Sequence, residues 1–219
     1  RYRTPAMQFP AERNGILYDR ATPESFGPAV ELVARTFARD EPLAVAVGQT
    51  QAELRAMLSL AAPTALAEQL TVQTWAGTTT MGVALATRFT WLPPDTAVTA
   101  SPNFAPIGGL LEVLEADYET RSEAERTHCV HVHMLVVDAD FRGRHIGREL
   151  LRLCLANAAE QGMTSAIADA TNPASRRSFE AAGFSAINEV DYESFEFEGA
   201  RVFAKVTGAD HIALMWRTI

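Results

Sequence analysis

The chain has 219 residues, 47% of them hydrophobic, enough for a sizeable core in one domain or slightly more. A net charge of −8 argues against nucleic acid or an anionic membrane as a main partner and is compatible with a cationic small substrate. No run approaches the ~18 apolar residues of a membrane span. Both cysteines, Cys129 and Cys154, sit in apolar stretches and read as reduced core residues of a cytoplasmic protein.

Residues 1–13 are polar with two prolines and read as a loose arm, leaving 14–219 as a single domain. Gly15 to Arg20 alternates as a first strand. Thr22-Pro23 opens a helix with a good N-cap pair, and Pro42 ends it near Asp40-Glu41. A second helix is expected from Thr50 to about Gln69, interrupted at Pro63. Leu70–Ala76 and Met81–Leu92 read as a hairpin about Gly77-Thr80. The long connection 93–127 holds an acidic amphipathic helix around Gly109 to Glu125. Long connections often wall a site, so substrate specificity is expected there. A short strand at Thr164–Ala168 and a helix opened by Asn172-Pro173 follow. Strand Phe184–Val190 and a last hairpin, Val202–Lys205 with His211–Trp216, close the chain.

The most informative stretch lies between these parts. Cys129 to Val137 is apolar and β-branched, a buried strand. Asp138 to Gly147 is a polar turn with glycines and basic side chains, and a helical period then runs to Gly162. Free N–H groups at a helix N-terminus beside arginines make an anion site, especially for phosphates. The glycines are followed by no Lys-Ser/Thr pair and lack dinucleotide spacing, which excludes both common nucleotide loops.

Arg142-Gly143-Arg144-His145-Ile146-Gly147 resembles the pyrophosphate loop of the GNAT acetyltransferase superfamily, and Leu135-Val136-Val137 looks like its fourth strand. The order of elements from Gly15 onward is similar too. The resemblance implies an α/β fold, a mixed central sheet of about seven strands flanked by helices, and acetyl-CoA as acetyl donor. Leu135, Val136, Val137, the loop Arg142 to Gly147 and Arg148 would contact the cofactor, with Asn172 and Phe179 along its arm. His145 stands where the superfamily has its first glycine. A working loop that tolerates His implies ordinary φ there, with the helix beginning earlier.

An alkylammonium is neutral in only about one molecule in 2500 at pH 7, so a transferase acting on amines needs a base. Strand alternation puts Cys129, His131, His133, Leu135 and Val137 on one face. The two histidines and the cysteine could be a core cluster or share a metal, but no fourth ligand is evident and no metal is expected. His131-Val132-His133-Met134-Leu135-Val136-Val137 resembles the H-x-H-x-L-x-V signature of arylalkylamine N-acetyltransferases, whose histidines pass the amine's proton outward. Asp40-Glu41-Pro42-Leu43 resembles an acidic turn of that family's insect-type branch, and Asp191 to Gly199 loosely resembles its C-terminal pattern. These likenesses imply His131, His133 and Glu41 as catalytic residues and a small arylalkylamine as acceptor. Polyamine acetylation, protein or peptide amine acetylation and a non-catalytic acyl-CoA regulator are the alternatives, and a monomer or a dimer is open. Phe179, where many such enzymes have a Tyr acid, leaves water, Ser175 or Ser178 to protonate the thiolate.

Overall fold

The computed structural model describes residues 8–89 and 93–219. Among these, eight strands form one sheet: β1 (Ala11–Arg13), β2 (Ile16–Arg20), β3 (Val72–Ala76), β4 (Thr79–Arg88), β5 (Cys129–Val137), β6 (Ser165–Ala170), β7 (Ser185–Asp191) and β8 (His211–Thr218). Their spatial order is β1-β2-β3-β4-β5-β6-β8-β7, antiparallel throughout except for the parallel pair β5 and β6. The helices are α1 (Pro23–Asp40), α2 (Pro42–Val47), α3 (Gln51–Glu68), α4 (Pro94–Ala100), α5 (Ala105–Glu119), α6 (Glu123–Thr127), α7 (Ile146–Glu160) and α8 (Pro173–Ala181). This is the expected mixed α/β sheet with one strand more than anticipated. No described helix is long and apolar enough to cross a membrane.

Local chemistry explains where the elements begin. The Thr22 hydroxyl accepts from Ser25 N–H while Ser25 Oγ accepts from Thr22 N–H, so α1 starts at a reciprocal cap. It stops at Glu41, held extended (φ −80°, ψ 123°) by the proline that follows. That same Glu41 caps α2, its Oε2 accepting from Ala44 N–H at 2.7 Å. Helix α7 packs on one sheet face, where Ile146, Leu150, Leu151 and Cys154 meet Val130, Val132 and Met81. On the other face α1 and α3 cover Val83, Leu85 and Val136. Over the far end of the sheet, α5 packs with the 192–210 segment through Leu110, Leu114, Tyr192, Phe195 and Phe203.

Four expectations need correction, and one falls in part outside the described residues. Part of the arm expected to be loose, Ala11–Arg13, pairs with β2 as an edge strand. Helix α3 runs through Pro63, which is exposed, so the carbonyl it leaves unbonded is open to water. The acidic helix is two, α5 and α6, broken between Thr120 and Ser122 where Ser122 starts a new reciprocal cap. Val202–Lys205 is a turn that buries Phe203, not a strand, and β8 pairs with β6 and β7 instead. The last residues of the expected Met81–Leu92 strand, 90–92, lie outside the described residues.

The fold also corrects the expected face of β5. Leu85 pairs with Met134 and Ala86 with Val132, so His133 is an extra residue in the ladder with β4, a β-bulge. A bulge exchanges the inward and outward positions beyond it. Before it Val130 and Val132 face α7, and after it Leu135 and Val137 do, while Met134 and Val136 pack on the α1 and α3 side. Leu135 and Val137 therefore do not share the face of His131. The two histidines do stay together, with ring centroids 4.0 Å apart.

Candidate active site

Beyond His131 the sheet opens. The parallel ladder between β5 and β6 pairs Cys129 with Ser165, Val130 with Ala166 and His131 with Ile167, and then ends. The β6-facing edge of β5 from His133 to Val137 is thus released from the ladder and can pair with an extended ligand chain. A cavity of about 700 Å³ fills this split, lined by residues 132–137 of β5, Arg142, Asn172, Phe179, Glu41, His133 and Asp169. The chain thus brings the expected catalytic Glu41 and His133 into one space with six of the expected cofactor residues, Leu135, Val136, Val137, Arg142, Asn172 and Phe179, while residues 143–148 lie outside the cavity lining. His131 lies behind His133, 3% exposed.

At one end of the cavity is the basic loop. Residues 142–145 are exposed, Gly143 has φ +78°, and α7 begins without any side-chain hydrogen bond to its first turn. Those orphan N–H groups point to the same solvent as Arg142, Arg144 and Arg148, an arrangement suited to phosphates. Arg142 is tethered to Asp40 at 3.2 Å. Hydrogen bonds from Arg39 and then Arg142 hold the Asp40 carboxyl at about 2. A Cβ on Gly147 would come within 3.4 Å of Val137. The expectation for His145 fails here: its φ is +60°, left-handed, and it is the N-cap of α7. The backbone needs a glycine-like conformation at this position, and His adopts it at a cost.

At the other end sit the ionisable groups. His131 Nε2 faces Asp169 Oδ2 at 2.9 Å and its Nδ1 faces the Phe89 carbonyl at 3.4 Å. Both partners only accept, so both ring nitrogens carry hydrogen and the ring is an imidazolium. Burial works to lower its pKa, but the charge and hydrogen bond of Asp169, with Glu115 and the carbonyl, raise it above the ordinary value. His133 differs. Burial, and then the positive charge of His131, push its pKa well below the usual value. Its Nε2 lies 2.8 Å from Thr87 Oγ1, whose hydrogen goes to the Arg88 carbonyl. Thr87 therefore accepts from Nε2–H, which makes Nδ1 the lone-pair nitrogen of a neutral ring.

Glu41 is the third group. Its Oε1 is buried with no hydrogen bond of good geometry. Burial raises its pKa, and the backbone of Ala44, the nearby Thr171 hydroxyl and Leu43 offset only part of the rise. The amide of Asn172 is spent on capping α8, its Oδ1 accepting from Ala174 and Ser175 N–H. Phe179 is buried against Phe184 and lines the cavity. Ser175 and Ser178 line it too, but their hydroxyls donate to the Asn172 and Ala174 carbonyls.

Three residues of this site were absent from the sequence reading. Asp169 lies in β6, two positions beyond Ile167 and on its face; a charged residue inside an apolar strand was the available signal. Thr87 on β4 and Glu115 on α5 carry no local signal of their own. One donor atom each from Glu115, His131 and Asp169 lie within 4.8 Å of one another, whereas Cys129 is not among the potential metal donors grouped there. Cys129 instead lies beside Tyr118 and Ser165, with burial raising its pKa.

Residues 78–184 match the acetyltransferase (GNAT) family profile, so the chain carries a GNAT acetyltransferase domain. No curated protein matches the chain at significance. Among solved structures, arylalkylamine N-acetyltransferase 2 of Aedes aegypti superimposes with a TM-score of 0.77 at 21% identity, covering 94% of this chain and 100% of that one. An agmatine N-acetyltransferase gives 0.74 at 18%, covering 93% and 100%. A polyamine N-acetyltransferase of Drosophila melanogaster gives 0.72 at 18%, again covering 93% and 100%. At these identities the likeness establishes a shared fold. Acetyl-CoA is the acetyl donor of the GNAT family, and the split sheet, basic loop and uncapped α7 fit it.

Proposed function

We propose that the protein is an acetyl-CoA-dependent N-acetyltransferase of a small primary amine. The observation that carries this reading is the cavity joining the freed edge of β5 to half-buried Glu41 and His133. The pantetheine arm pairs with residues 135–137, and the basic loop takes the pyrophosphate. Glu41, with its raised pKa and unpartnered Oε1, accepts the ammonium proton directly or through water. Removing that proton at pH 7 costs about 4–5 kcal/mol, which is the task such a base has to meet. The freed nitrogen attacks the thioester carbonyl, the C–N bond forms, the C–S bond breaks, and the thiolate leaves. With Phe179 unable to donate and the serine hydroxyls engaged, the thiolate takes its proton from water; a thiol pKa near ~8.5 makes it a competent leaving group.

The histidines have different roles in this reading. His133 is the neutral ring that faces the amine and relays its proton. His131, cationic and held by Asp169, is a positioning residue that keeps His133 neutral. Arylalkylamines, implied by the histidine pair, and polyamines both qualify as acceptors, and structural neighbours of both names share the fold.

The test is release of coenzyme A thiol from acetyl-CoA across a panel of amines. Amine-dependent release that saturates supports the reading. Tight acetyl-CoA binding without release from any amine would make the protein an acyl-CoA-binding regulator instead.

A further inference from the structure

Beside the main cavity lies a second, of about 230 Å³, which shares Met57, Phe104, Leu111, His133, Met134 and Asp169 with it. The second chamber therefore begins where the reacting amine would end. Its distinctive lining is acidic. Glu112, Glu115 and Glu119 project from one stripe of α5, at i, i+3 and i+7, and Asp169 comes from β6. No lysine or arginine lines the chamber.

This concentration of charge is unbalanced. None of the three glutamates forms an ion pair or hydrogen bond with another described residue. Like charges four apart on a helix repel, and Glu115 and Glu119 are so placed. Asp169 spends Oδ2 on His131, while its Oδ1 is buried with no partner. Burial, then Asp169, and also Glu119, raise the Glu115 carboxyl to about 7, with His131 opposing. One imidazolium faces four carboxylates, so the chamber lacks positive charge. A divalent ion that took His131 Nε2 as a ligand would have to break the His131–Asp169 hydrogen bond. An organic cation reaching in from the main cavity need not, and Phe89, Phe104, Met57 and Leu111 supply apolar wall for its methylenes.

We propose that the second chamber holds a second positive charge of the acceptor, so that diamines and guanidino-alkylamines are preferred over monoamines, aromatic ones included. This rests on the main cavity being the site of acetyl transfer. The reacting ammonium lies at Glu41 and His133, the chain runs past Met134, and the distal cation lies between Glu115 and Asp169, with Glu112 and Glu119 at the mouth.

The experiment compares kcat/KM, read by thiol release, for 1,4-diaminobutane, n-butylamine and tyramine. The pair of alkylamines differs only in the distal charge. A charge-assisted contact of this kind predicts a preference for the diamine of roughly 10–100-fold, expressed mainly in KM. Glu115→Gln should reduce the diamine-to-monoamine ratio about tenfold. Glu119→Gln, at an exposed position where folding is not at stake, should reduce it by a smaller factor. The ratio should rise between pH 6 and 8 as Glu115 ionises, since deprotonation of the reacting ammonium cancels between the two amines. A ratio near one, a preference for tyramine, or a ratio untouched by both substitutions would overturn the proposal while leaving acetyl transfer standing. Absence of release with every amine would instead remove the transferase reading beneath it.

Discussion

On the α7 side of the cleft, the anion site is built largely from backbone: a freed strand edge and an uncapped helix start, with exposed arginines beside them. On the α5 side the cleft is built from buried and half-buried ionisable side chains, Glu41, Glu115, His131, His133 and Asp169, of which the last four act on one another through charge or hydrogen bonding. The first kind of construction tolerates side-chain change but not displacement of the main chain. The second tolerates small shifts but not a change of charge. Substitutions on the two sides should therefore fail in different ways.

The largest effect is expected from Glu41→Gln. Amine turnover should fall by ~10²–10⁴ while acetyl-CoA affinity stays within about twofold, because the lost group works on the acceptor. Titration calorimetry with acetyl-CoA alongside steady-state kinetics measures both, and a parallel loss of cofactor affinity would break the division between the two sides. Next is Gly82→Ala on β4. A Cβ there would lie 2.9 Å from both Leu150 Cδ1 and the Val136 carbonyl, under α7. Destabilisation of about 1–3 kcal/mol is expected in chemical denaturation.

Much of the α7 side was legible because its parts are consecutive. Strand, loop and helix occupy residues 129–160 without interruption, so local period and glycine spacing were enough to find them. The α5 side joins residues 41, 115, 131, 133 and 169, brought together only by the sheet order and the packing of α5. Glu41 and the histidines were found through a likeness to other sequences. Asp169 and Glu115 were not, since a lone acidic residue in a strand or helix announces nothing about what faces it. The alternation rule also failed on β5, because a bulge depends on the pairing with β4 and has no signature in the strand itself. The ordinary φ expected for His145 failed for a related reason: the loop geometry requires a left-handed residue whatever its side chain.

A smaller effect concerns acidity. The Glu115 pKa is raised from 4.5 to about 7, so the folded state holds a proton there that the unfolded state has released between those values. Stability should therefore decline as pH rises from about 4.5 to 7. The raised His131 adds in the same direction, its contribution being complete below pH 6.5 and lost as pH climbs through its folded value. The lowered His133 opposes this below about pH 6.5, where the unfolded ring is protonated and the folded one is not. Thermal melts should therefore show the fall most clearly above about pH 6.5, and Glu115→Gln should reduce it. A slope unchanged by that substitution would mean the acidic chamber is less coupled than its geometry indicates. The smallest effect is expected at His145→Gly. Relief of the left-handed strain is worth about 1 kcal/mol, with no helix propensity at stake at a cap position. It should appear as a slightly higher Tm and unchanged or tighter acetyl-CoA binding.

The bulge at His133 behaves like an inserted letter in a message read two at a time. Upstream of it, odd-numbered side chains face away from α7 and even-numbered ones toward it, and downstream the assignments are exchanged. Deleting one residue here would restore a regular ladder without breaking a single strand, and by pairing alone it would look like a repair. Each remaining side chain would keep its side of the sheet, since Ala86 and Val132 both face α7 and Leu85 and Met134 both face α1 and α3, and only the His133 imidazole would be lost from the pocket. The irregularity is thus what sets a second imidazole beside the first, at the point where the edge of β5 is released from β6.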